Sequence, residues 1–188
     1  MISLLRQTED QWTMTHSGIR FNLENPRPED ILIEDIAHAL ARINRYNGHH
    51  NFEHYSVAQH SVHVSEVISG KHKLAGLLHD ASEAYLQDII SPLKYLLREV
   101  YLPLEERCMR VIYSKFGIDY DDQLMQQEVK FADQLVFAFE LRDVKKTDER
   151  EFYNLDVNIG KYTLGKISSG YSATNAESLF LETFRMLT

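Results

Sequence analysis

At 188 residues and a formal net charge of −8, the chain is long enough for one hydrophobic core and too acidic for a broad electrostatic footprint on DNA or RNA. A single cysteine, Cys108, excludes an internal disulfide and a cysteine-built zinc site. Met1 to Gln7 offers only a brief apolar patch and no run reaches the ~20 apolar residues of a membrane span, so the expectation is one cytoplasmic domain over residues 1–188, with neither a membrane nor a nucleic-acid polymer as partner.

Residues 12–23 alternate on either side of His16-Ser17-Gly18, which predicts a short peripheral β-hairpin. After Pro26 and Pro28, the spacing of Ile33, Ile36, Ala37, Leu40 and Ile43 predicts an amphipathic helix ending near Tyr46-Asn47-Gly48, with Arg45 and Tyr46 at its C-terminal end. A polar loop follows, and Ser56-Val57-Ala58-Gln59 has the form of a capping box opening a helix to about Gly70. On that helix His60 flanks the inward stripe of Val57, Ser61, Val64 and Ile68.

The next helix is the centre of the pattern. At 100° per residue, Leu74, Leu77, Leu78, Ala81 and Tyr85 share one stripe, while His79, Asp80 and Glu83 fall together on the opposite face. Asp88 lies in a loop-like stretch leading to a Ser91-Pro92 turn and Lys94. Leu104 to Phe116 reads as a helix stopped by Gly117, and Asp121 can cap a long one running to about Arg142 with Met125, Val129, Ala132, Val136 and Phe137 inward. Asp133 and Glu140 share a face of it, one heptad apart. A carboxylate on a buried face needs a partner, and Arg142 is the nearest cation for Glu140. Residues 145–170 carry charge, glycine and serine with little periodicity and read as a long loop or lid. Thr174-Asn175-Ala176-Glu177 is a second capping box, opening a last helix through Leu179, Phe180, Phe184 and Leu187.

The fold expected is therefore an all-α helical bundle with a small β-hairpin, and a bundle could bring His60, His79, Asp80 and Asp133 together from three helices. Two imidazoles and two carboxylates form a borderline-hard donor set suited to a divalent ion such as Mn, Co, Fe or Zn, with positions left for water and substrate. His49, His50, His54 and His63 lie in or near the polar stretch and are left out of the site.

These residues resemble the HD-domain metal-dependent phosphohydrolases, whose pattern of a His, a His-Asp pair and a distant Asp is matched here by His60, His79-Asp80 and Asp133. The extended match takes in Tyr55 to Ser61, His79-Asp80-Ala81-Ser82-Glu83 with Asp88, and Lys130-Phe131-Ala132-Asp133, and it covers roughly residues 12–142. Within the superfamily the chain looks most like small bacterial 5′-deoxynucleotidases, phage deoxyadenosine triphosphate triphosphohydrolases and uncharacterised phage and prophage hydrolases. The resemblance implies an HD-domain bundle, a divalent cofactor (Mg included) on the four ligands, and Glu83 with Asp88 as the catalytic pair. It further implies Arg45 on phosphate and Tyr46 on sugar or base, where the family commonly has tryptophan, with Lys94 as a second phosphate contact. The function so implied is hydrolysis of the phosphate ester of a nucleotide substrate, a purine deoxynucleotide such as dATP or dAMP first. A 5′-deoxynucleotidase of broad base specificity, a cyclic-nucleotide phosphodiesterase and a non-catalytic nucleotide-binding module stay open beside it. So does a homo-oligomer.

Overall fold

Trp12–Met14 (β1) and Arg20–Asn22 (β2) form the expected antiparallel hairpin, with Thr13 opposite Phe21. Phe21 is its anchor, fully buried and stacked on Tyr85 with ring centroids 3.7 Å apart. The computed structural model describes residues 11–146 and 165–188, so most of the lid expected over 145–170 lies outside the described residues.

Helix α1 (Ile33–Leu40) buries Ile36, Ala37 and Leu40. It ends well before the expected Gly48, because Asn44 leaves the helix to bridge Ser56, with Arg45 N bonded to Tyr55 O at 2.9 Å and Val57 N to Ile43 O at 3.1 Å. Arg45–Gly48 is then a single 3-10 turn in which Tyr46 (φ 58°) and Asn47 (φ 51°) take left-handed conformations. The polar loop is tied down by its own histidines: His50 Nε2 meets Asn44 Oδ1 at 2.7 Å, and His54 Nε2 meets the Ala41 carbonyl at 2.8 Å.

Helix α2 (Val57–Val67) starts where expected, with Ser56 Oγ accepting from Gln59 N at 3.2 Å. The other half of the capping box is absent. The Gln59 amide instead donates to Ser169 O (3.1 Å) and accepts from Tyr171 N (2.9 Å), clamping the segment that leads into the last helix. Between these two bonds, Gly170 passes so close to His54 that an added Cβ would lie 1.4 Å from the His54 carbonyl oxygen.

The expected central helix is broken. Helix α3 (Lys73–Leu77) and helix α4 (Glu83–Leu86) are separated by tight turns, with Ala81 N bonded to Leu78 O and Glu83 N to Asp80 O, both 3.0 Å. What reads as a Ser91-Pro92 turn is the first turn of α5 (Ser91–Leu96), and α6 (Arg98–Lys115) begins at Arg98 instead of Leu104. Gly117, at φ +70°, lets the chain turn away after it. Helix α7 (Gln123–Glu140) is capped by Asp122, whose Oδ1 accepts from Leu124 N and Met125 N, while Asp121 pairs with Arg110 at 3.0 Å. It widens into a π turn over Leu141–Lys145. Helix α8 (Ala173–Leu187) is capped by Ser172, so Thr174 falls inside it, and Glu177 reaches Arg42 at 2.7 Å.

Helix α2 sits at the middle, packed against α1, α3, α7 and α8 and buried on nearly every face. Its Val57 and Val64 join Leu40 of α1, Leu77 of α3, Ile112 of α6, Val136 of α7 and Phe180 of α8 in the main core. Tyr55, Leu135, Phe139, Val144 and Ile167 form a smaller cluster. The described residues are thus mostly helical with one small antiparallel hairpin, and none of their helices is long and apolar enough to cross a membrane.

Candidate metal centre

Three separate parts of the chain deliver the predicted ligands to one point. His60 comes from the end of the first turn of α2, Asp133 from the middle of α7, and His79-Asp80 from the turns between α3 and α4. His60 Nε2 lies 3.1 Å from Asp133 Oδ1 and 3.3 Å from His79 Nε2, and donor atoms of His60, His79 and Asp133 all fall within 4.8 Å of one another. Asp80 Oδ2 approaches His79 Nε2 at 3.2 Å and His60 Nε2 at 3.7 Å. The chain leaves the regular helix after Leu77, and His79 and Asp80 both reach the cluster from the turns that follow.

The hydrogen bonds on the far sides of the rings fix what these nitrogens can do. His79 Nδ1 is 2.8 Å from the Gly76 carbonyl, which can only accept, and His60 Nδ1 is 2.7 Å from Glu140 Oε1. In the neutral Nδ1–H form both rings aim their Nε2 lone pairs at the same spot, 3.3 Å apart, an arrangement that a positive charge between them stabilises. Donors bonded to one ion at about 2.1 Å and cis to each other stand about 3.0–3.4 Å apart, which is the spacing seen. The donor set therefore fits a divalent cation: His60, His79 and Asp133 could hold it, with Asp80 alongside. Electrostatics give the same sign. Burial works against a charged His79, yet Asp80 and Asp133 outweigh it and raise its pKa well above the ordinary imidazole value. Against the same burial, the two imidazoles hold Asp133 well below the carboxylate range.

A cavity of about 250 Å³ opens beside the cluster and gathers the other predicted residues: Arg45, Tyr46, Glu83, Asp88 and Lys94 all line it. Glu83, the first residue of α4, is 4% exposed, and its Oε2 has no hydrogen-bond partner. Burial, then the facing Asp80 and Asp88, push its pKa well above the ordinary range, and burial raises that of Asp88 as well. Arg45 lies between Glu140 Oε2 (3.2 Å) and Asp80 Oδ2 (3.6 Å). Tyr46 donates its hydroxyl to Glu140 and stacks loosely on Phe137, which is half-buried on the cavity wall instead of inward. Lys94 is committed to Glu105 at 2.7 Å, within a second cavity of about 530 Å³ on the other side of Asp80 and Asp133.

One residue of the site escaped the sequence. Glu140 is fully buried, and its partner is not Arg142, which pairs with Asp143 at 2.6 Å. It receives Tyr55 and Tyr46 hydroxyls, Arg45 and His60, and against its burial Arg45, His60 and Tyr46 lower its pKa to about 2. The signal was its heptad offset from Asp133, which places both carboxylates on one face of α7. The chain is 41% identical over 134 residues to the uncharacterized protein YfdR of Escherichia coli (strain K12), covering 71% of this chain and 72% of that one. It belongs to the YfdR family. An uncharacterized protein of Rhodobacter capsulatus is likewise 41% identical over 115 residues, 57% of this chain and 59% of its own length. No family model matches the chain.

Proposed function

We propose that this protein is a divalent-metal-dependent phosphohydrolase of the HD-domain type, cleaving the phosphate ester of nucleotides, with a purine deoxynucleotide such as dATP or dAMP as the first candidate substrate. The observation that carries the proposal is a single juxtaposition. Two convergent imidazoles and Asp133 stand beside a cavity that holds one buried guanidinium and two carboxyls raised in pKa. Adenine is favoured by the resemblance to the phage enzymes alone.

His60, His79, Asp80 and Asp133 would hold the cation. When bound, it would supply a Lewis acid for the phosphoryl oxygens and make hydroxide accessible near neutral pH. The remaining chemistry belongs to the side chains. Arg45 meets the phosphate oxygens through charge-assisted hydrogen bonds and so fixes the phosphorus next to the cluster. Glu83, kept protonated by burial, gives its proton to the departing ester oxygen as the bond from phosphorus to that oxygen breaks and a water oxygen bonds to phosphorus. Asp88, on the same cavity, takes the proton that the attacking water loses, so that one carboxyl donates and the other accepts. Tyr46 and Phe137 offer ring faces to sugar or base. The second cavity, which shares Asp80, Lys94 and Asp133 with the first, offers further room for a nucleotide.

The test is a screen of deoxy- and ribonucleoside mono-, di- and triphosphates with Mn, Co, Fe, Zn and Mg, with products separated by chromatography. Release of a nucleoside from at least one nucleotide, dependent on metal, is expected. Metal-loaded protein that hydrolyses none of them ends the proposal.

A further inference from the structure

Glu140 occupies a position that no part of the proposed chemistry uses. Its carboxylate is fully buried at the end of α7, and its two oxygens serve two different structures. Oε1 accepts from His60 Nδ1 at 2.7 Å and from the Tyr55 hydroxyl at 2.9 Å. Oε2 accepts from Arg45 at 3.2 Å and from the Tyr46 hydroxyl. One side of the group thus orients a cluster imidazole, and the other orients the two residues at the cavity wall.

We propose that Glu140 is a positioning residue that ties the metal cluster to the anion-binding wall: Oε1 fixes His60 in the tautomer whose Nε2 lone pair faces the cluster, and Oε2 sets Arg45 and Tyr46 at the cavity. The inference rests on the metal-site reading given above, and its first arm needs no nucleotide. A carboxylate behind a ligating histidine commonly contributes about 10–100-fold to metal affinity, because it selects the tautomer, holds the ring and makes the nitrogen more basic. Here the effect is concentrated on one ring, since His79 takes its orientation from the Gly76 carbonyl. Arg45 has no comparably close alternative anchor, Asp80 being 3.6 Å away. Loosening Glu140 therefore disturbs both ends of the site.

The experiment compares the full chain with Glu140→Gln, which keeps the side-chain shape and removes the charge. Metal-stripped protein is titrated with Mn²⁺ and with Zn²⁺ by calorimetry, and the imidazole nitrogens are followed by long-range ¹⁵N–¹H NMR at alkaline pH, where the rings are neutral. The wild type is expected to show His60 as the Nδ1–H tautomer. Glu140→Gln should bind metal about 10–100-fold more weakly and should admit the Nε2–H form at His60 but not at His79. If hydrolysis is observed, the variant should also raise KM for every nucleotide tested. Unchanged metal affinity with an unchanged His60 tautomer overturns the proposal even if the protein proves to be a hydrolase. Should Glu140→Gln fail to fold, an Nε2–H tautomer at His60 in the metal-stripped wild type overturns it alone. A wild type that binds neither ion defeats the metal site itself, a different outcome from either.

Discussion

The Nε2 atoms of His60 and His79 stand 3.3 Å apart, each with its Nδ1 already engaged by an oxygen on the other side of the ring. Neither ring can turn to relieve the other without breaking a hydrogen bond in a buried setting, where an unmade bond costs about 1–3 kcal/mol. The pair is held in a geometry that a shared cation could bridge.

Asp133→Ala should therefore release the metal. Asp133 Oδ1 is 3.1 Å from one of these nitrogens and 3.8 Å from the other, and without it the cluster keeps only Asp80 as a carboxylate. Elemental analysis of the purified variant should find the metal gone, with the helical circular dichroism retained. Full metal occupancy in the variant would remove Asp133 from the ligand set.

Glu83→Gln should trade turnover for stability. The folded protein holds the Glu83 proton above the ordinary pKa of 4.5, so between that value and its raised folded value the native state binds a proton that the unfolded chain has lost. Native stability then falls as pH rises through this window, whereas glutamine has nothing to lose. In urea melts of metal-free protein, the advantage of the variant should widen with pH across that window, and metal-loaded turnover should drop about 10²–10⁴-fold. A stability difference that stays flat with pH would mean that Glu83 is ionised in the fold like any surface carboxylate.

Arg45→Ala should raise KM for all nucleotides alike, by about 10–150-fold, the equivalent of losing a charged hydrogen bond of about 1.5–3 kcal/mol. Tyr46→Ala should instead reorder the bases, because a phosphate contact is common to all nucleotides while ring packing is not. Steady-state kinetics on one purine and one pyrimidine series separate the two effects. Equal losses in both variants would merge their roles.

Much of the site was legible because its signals are local: a His-Asp pair, a glutamate three residues on, and helix faces set by apolar spacing. The parts that were not legible depend on partners distant in sequence. Glu140 pairs with Arg45 and not Arg142, since residues two apart on a helix point in nearly opposite directions. Apolar periodicity through Ile43 predicts a longer α1, but the Asn44 to Ser56 bridge outcompetes it while Ile43 still packs on the core. The break between α3 and α4 is hidden for a related reason. Turns bonded i to i+3 set residues three apart on the same side, so Ala81 follows Leu78 inward much as it would on a helix.

Gly170→Ala should destabilise the protein without touching the cluster. The added methyl would meet the His54 carbonyl at 1.4 Å, and backbone cannot yield as a side-chain tip can. A loss of about 1–3 kcal/mol is expected in chemical denaturation, with metal affinity intact in the folded fraction. A neutral result would show that the segment held by Gln59 can shift as a unit.

The two histidines stand on supports of unequal firmness. His60 is carried by α2, which is walled in by four other helices, and its amides should exchange with solvent hydrogen only on global unfolding. His79 rides on short turns between two helices of five and four residues. Opening that segment detaches His79 and Asp80 together and leaves His60 and Asp133 in place. A bound ion would leave, and a new one arrive, through the His79 side, and the rate of metal exchange would follow the local opening of residues 78–82 and not the stability of the whole fold.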